Sequence, residues 1–114
     1  MYLVVIVLNK EEDLNAVLEK FNEIEITGAT ILDSKGMGRT LAEHNNFVVG
    51  GLRKLLHEKS RVGNKTLFTV VTSKNQAETT IEEVEKIIGD FSDPGRGIAF
   101  AFPLDIIKGV VLKN

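Results

Sequence analysis

The sequence predicts an α+β domain in which a four-stranded antiparallel sheet carries two helices on one face, with a long loop between the second and third strands. Three observations lead there. Four short runs rich in apolar and β-branched residues, at 3–8, 29–34, 66–71 and 98–102, read as strands. Two intervening stretches carry apolar residues at helical spacing. The order strand, helix, strand then occurs twice, which is the ferredoxin-like βαββαβ arrangement. With 114 residues a single domain over 1–114 is expected, large enough for a modest core and helped by self-association.

The first strand, Leu3 to Leu8, is apolar at every position, so both of its faces should be covered: Leu3, Val5 and Val7 on one, Val4, Ile6 and Leu8 on the other. Asn9 with Glu12 reads as a capping box for helix one, whose stripe is Leu14, Val17, Leu18 and Phe21 and which runs to about Asn22. Ile24 and Ile26 lead through Gly28 into the second strand. From Thr40 to about Asn64 the chain then stays out of the sheet. Strand partners are usually joined by two to five residues, so a connection of this size in a small domain points to function.

Within that excursion, Asn45 or Asn46 caps a short helix through about His57, with Val48, Leu52, Leu55 and Leu56 on one face. Gly50 and Gly51 weaken it by roughly 1 kcal/mol each. The patch Leu52, Arg53, Leu55 and Leu56 is read either as a partner-docking surface or as a stripe packed permanently on the domain or a neighbouring subunit. Asn75 with Glu78 opens helix two, Ala77, Ile81, Val84, Ile87 and Ile88 form its buried stripe, and Gly89 stops it as a left-handed cap. The stretch 90–97 is turn-rich. Pro103 marks the end or edge of the fourth strand, and the tail Leu104 to Leu112 is apolar enough to dock. Two helices cover only one face of the sheet. Self-association through the open face explains why the strands are apolar on both sides; folding back of the tail and loop is the alternative.

A net charge of −2 offers no footprint for nucleic acid. The absence of cysteine excludes disulfides, zinc ribbons and thiol catalysis, and it fits a cytoplasmic protein. His44 and His57 are the only imidazoles and lack a ligand pattern, so no metal site is expected. The apolar N-terminus is too short to span a bilayer, and no transmembrane segment is expected. Glu82, Glu83 and Glu85 form the wet face of a helix and nothing resembles a nucleophile–base pair, so the protein is not expected to be an enzyme.

What could hold an anion is the glycine-punctuated turn Gly36-Met37-Gly38-Arg39 after strand two, a nest of backbone N–H groups with a guanidinium beside it. A second such turn, Gly95-Arg96-Gly97, precedes strand four. The words Ile26-Thr27-Gly28-Ala29-Thr30 and Lys35-Gly36-Met37-Gly38-Arg39, at this place in this element order, resemble the second strand and T-loop entry of the P-II nitrogen-regulatory signalling family.

The resemblance implies a homotrimer with adenine-nucleotide sites in the clefts between subunits. It also implies a T-loop, about residues 37–64, that docks on an enzyme, transcription regulator or membrane transporter. Gly36, Met37, Gly38 and Arg39 would line the phosphate end, and Gly95, Arg96 and Gly97 would wrap phosphate from the neighbouring strand end. Where the family places two arginines after the last strand, only Lys108 stands here. No cofactor is required; ATP, ADP, AMP or another nucleotide is the expected effector. Tyr2 is the only tyrosine, so uridylylation of the loop is not available, and the equivalent stretch has no evident glutamine for 2-oxoglutarate and magnesium. The alternative is an oligomeric scaffold of the same fold that binds no nucleotide.

Overall fold

A computed structural model describes residues 1–43 and 64–110. The elements are β1 (Tyr2–Leu8), a 3-10 turn (Glu11–Asp13), α1 (Leu14–Glu23), β2 (Thr30–Ser34), α2 (Met37–Glu43), β3 (Asn64–Val71), α3 (Lys74–Ile88) and β4 (Gly97–Pro103). The strands form one antiparallel sheet in the order β2-β3-β1-β4. This is the expected ferredoxin-like topology, with its two halves interleaved so that β1 and β3 are central.

The period of two along β1 separates the faces as anticipated. Val4, Ile6 and Leu8 are at most 1% exposed and form the core with Leu67 and Val71 of β3, Val17 and Phe21 of α1, and Ala77, Val84 and Ile88 of α3. Burying such side chains contributes about 1.5–3 kcal/mol each. Lys20 of α1 reaches Glu83 of α3 at 3.8 Å, and Lys86 holds the same carboxylate at 2.8 Å. The two cations, Lys86 first, keep Glu83 below the ordinary carboxylate range.

The other face is apolar, and its β4 side is exposed. Register places Leu3 opposite Val70 and Phe102, Val5 opposite Phe68 and Phe100, and Val7 opposite Ile98. Ile98, Phe100 and Phe102 are 54, 45 and 43% exposed, and the two phenylalanine rings stack at 6.5 Å.

Several local expectations are corrected. Asn9 does not cap α1: the chain enters through the 3-10 turn, with Asp13 N–H donating to Lys10 O, and α1 begins at Leu14 without a side-chain cap. At α3 the cap is Ser73 rather than Asn75. Its Oγ accepts from Gln76 N–H at 3.1 Å, while Gln76 reaches back to Thr72. The cap therefore sits two residues earlier, because Ser73 is extended and Lys74 already starts the helix. Thr80 joins the buried stripe, its hydroxyl satisfied by Gln76 O.

The turn at 36–39 is the first turn of α2, so the excursion begins helically, and β3 starts at Asn64. The expected 45–57 helix, both histidines and the patch Leu52, Arg53, Leu55 and Leu56 lie outside the described residues. Pro103 ends an edge strand opposite Tyr2, where its missing N–H costs no ladder bond. The tail is tied by Leu104 N–H to Met1 O at 2.9 Å, but Ile106 is 90% exposed rather than docked.

Candidate ligand site

The pairings Ser34 with Asn64, Leu8 with Lys65 and Leu8 with Gly97 bring four strand ends into one row. Both predicted anion-binding turns therefore leave the sheet at the same end. They do so at opposite edges, because β2 and β4 are the outer strands. Three inter-strand spacings, about 14 Å, separate them within one chain.

At the β2 edge, the N–H and the hydroxyl of Thr40 both donate to Gly36 O at 3.1 Å, closing the first turn of α2. The N–H groups of the residues between them have no acceptor inside the helix. Met37 is 78% exposed, and the space beside Gly38 is open.

At the β4 edge the glycine requirement has an internal cause. Gly97 has φ +116°, and a Cβ there would lie 2.0 Å from the carbonyl oxygen of Val7. Close approach of β4 to β1 thus accounts for this glycine without any ligand. Arg96 is folded back: its Nε and Cζ lie 3.2 Å from where a Cβ on Gly89 would be. Gly89 has φ +98° and ends α3, so the guanidinium rests beside the negative end of that helix dipole. The intervening turn is held by Glu85 Oε2, which accepts from Phe91 N–H at 3.1 Å, and by Asp90 Oδ1, which accepts from Ser92 N–H at 2.8 Å. The Ser92 backbone N–H is the main reason the Asp90 carboxyl sits below its usual range.

Between these edges, the Lys65 ammonium bonds Asp33 of β2 and reaches Glu11 of the 3-10 turn at 3.3 Å. Asp33, then Glu11, raise the Lys65 pKa above its ordinary value. Beside it Thr66 donates to Ser34 Oγ at 2.8 Å. These contacts pin the base of the excursion, where β2 ends and β3 begins.

Lys108 stands apart from both turns. The tail leaves β4 at the opposite end of the sheet, where Pro103, Tyr2 and Val71 align. There the chain forms a cleft of about 440 Å³ between the 25–30 segment and the end of β3, lined also by Gln76, Gly109 and Val110. Phe68 and Val70 give it an apolar surface; Thr27, Thr30 and Thr72 give it polar groups. Thr69 Oγ donates to Gly28 O, fixing the 25–30 segment against β3.

The sequence pointed to the glycine turns but not to Thr72 and Gln76. Their one available signal was Ser73-x-x-Gln76, which marks a helix start and says nothing of a cleft. Among the described residues no helix is long and apolar enough to cross a membrane, and no group of three His, Cys, Asp or Glu could hold a metal ion.

The family described as Nitrogen regulatory protein P-II matches residues 1–110. No individual curated protein matches the chain.

Proposed function

The chain belongs to the nitrogen regulatory protein P-II family, a family of signal-transduction regulators, and from that premise we propose that it works as a nucleotide-responsive homotrimer. The effector is an adenine nucleotide or related phosphate-bearing molecule held between subunits, and the output is regulation of a partner through residues 37–64. The partner is an enzyme, a transcription regulator or a membrane transporter.

The observation that carries this reading is the split of the site. Gly36 to Arg39 and Gly95 to Gly97 share one end of the sheet but stand on opposite edges, and the cleft lies at the other end. Within one chain the three stand apart on the sheet, whereas neighbouring chains can place one subunit's edge against the next. The exposed apolar face of Phe100, Phe102 and Ile98 supplies a reason for subunits to meet. The free N–H groups opening α2 suit phosphate oxygens, with Arg39 beside them in sequence. Lys65 and Thr66 couple that point to the sheet, so occupancy there biases the loop only by favouring one of its arrangements over another.

Calorimetry against ATP, ADP, AMP and cyclic nucleotides tests the proposal. Binding tighter than millimolar, weakened by Arg39→Ala, is the expected result; no binding, or no effect of the substitution, defeats it. The scaffold reading draws on Arg96, which lies over Gly89 instead of extending from the turn. A nucleotide-dependent change in proteolysis within 44–63 would exclude that reading.

A further inference from the structure

We infer that Gln76 is a specificity-determining donor of the cleft, recognising a hydrogen-bond acceptor on the effector; this rests on the nucleotide reading above. A glutamine amide carries one oxygen that accepts and one NH₂ that donates, and which way it points must follow from its partners. Here the partner settles it. Thr72 N–H, which can only donate, lies 2.8 Å from the side-chain oxygen, and the Thr72 hydroxyl donates to the same oxygen at 2.7 Å.

Both lone pairs of Oε1 are therefore committed. The backbone N–H of Gln76 is held by Ser73 Oγ at 3.1 Å, which anchors the residue from its other side. Among the described residues nothing accepts from Nε2, and no buried polar side-chain atom lacks a partner, so the NH₂ group is open to solvent. Gln76 and Thr72 both line the cleft, together with the 25–30 segment.

A neutral donor pair whose orientation is set before ligand arrives binds a ring nitrogen or carbonyl without having to order itself. A site that offers only a donor at one point rejects a ligand presenting a donor there, because one of the two groups is left unpaired.

The substitution Gln76→Glu isolates this role. It keeps an oxygen for both Thr72 bonds, and glutamate serves a serine-capped helix start as well as glutamine does, so the fold should be retained. It replaces the NH₂ donor by an oxygen. Titration of the full chain with ATP should show binding about tenfold weaker in Gln76→Glu than in wild type, persisting at 1 M salt, where through-space repulsion is screened to about 3 Å. The melting temperature without ligand should hold within about 2 °C. Thr72→Val, which frees one of the two lone pairs and loosens the amide, should weaken ATP binding by a smaller factor, about two- to fivefold.

Wild-type affinity in Gln76→Glu, or a loss that disappears at high salt, overturns the role of Gln76 while leaving the nucleotide reading intact. Should wild type itself bind no nucleotide, that reading fails and this one falls with it. If Gln76→Glu loses its melting transition, Thr72→Val decides: unchanged affinity there also overturns the inference.

Discussion

Replacing Gly97 by alanine tests whether this glycine serves the sheet or a ligand. Any Cβ at that position falls 2.0 Å from Val7 O, a backbone atom that cannot rotate away. The residue also has φ +116°, a conformation that costs a side-chain-bearing residue roughly 1–3 kcal/mol. Relieving the contact means lifting the start of β4 from β1 at the Leu8–Gly97 rung, and losing a terminal hydrogen bond costs about 1 kcal/mol more. The sum is about 2–4 kcal/mol, a large share of a total stability of about 5–15. At about 4 °C per kcal/mol for a chain of this size, the melting temperature should fall by roughly 8–16 °C. Gly38→Ala is the matched control. Gly38 is helical with open space around it, so alanine there should stabilise α2 by up to about 1 kcal/mol. Ligand-free thermal and urea denaturation at fixed protein concentration measures both, since oligomerisation makes stability concentration-dependent. A Gly97→Ala protein within 0.5 kcal/mol of wild type would refute the close approach of the two strands.

Phe100→Asp places a carboxylate in the middle of the open apolar face, opposite Val5 and beside Phe102. Desolvating it in an interface costs several kcal/mol, so, if the proposed trimer forms through this face, light scattering should show the variant as a single 12.6 kDa chain with unchanged circular dichroism; a variant with the wild-type oligomeric mass means the face is not the interface. Lys65→Met removes the ammonium that holds Asp33 and Glu11. Because the folded pKa of Lys65 lies above the ordinary 10.5, its contribution is fully present below 10.5 and is lost as pH rises through the higher folded value. The stability difference between wild type and variant should therefore be constant from pH 7 to 9 and shrink above 10.5; a difference growing with alkalinity contradicts the ion pair.

Periodicity made the element types legible. Six apolar residues in a row at Leu3–Leu8 and the stripe Ala77, Val84, Ile88 encode which surfaces must leave water, and that requirement does not depend on what covers them. Helix starts were harder to read, because several residues can cap and geometry selects one: Ser73 is extended and adjacent to the helix, so it displaces Asn75. The glycines illustrate a second limit. Gly38 and Gly97 look alike in a sequence, yet one has open space and the other faces Val7 O, a distinction made only when β4 is laid against β1.

The sequence alone determined the duplicated strand–helix–strand order, the two-sided apolar strands and the wording that resembles P-II, because these are properties of neighbours along the chain. Tertiary structure decided what depends on neighbours in space. It placed the two glycine turns at one end of the sheet on opposite edges and turned Arg96 back over the end of α3. It set Lys65 between carboxylates that are remote in sequence, and it oriented the Gln76 amide by its bonds to Thr72 at the edge of a cleft. Charge, hydrogen bonding and steric contact act over a few ångströms, and those distances exist only after the strands have paired.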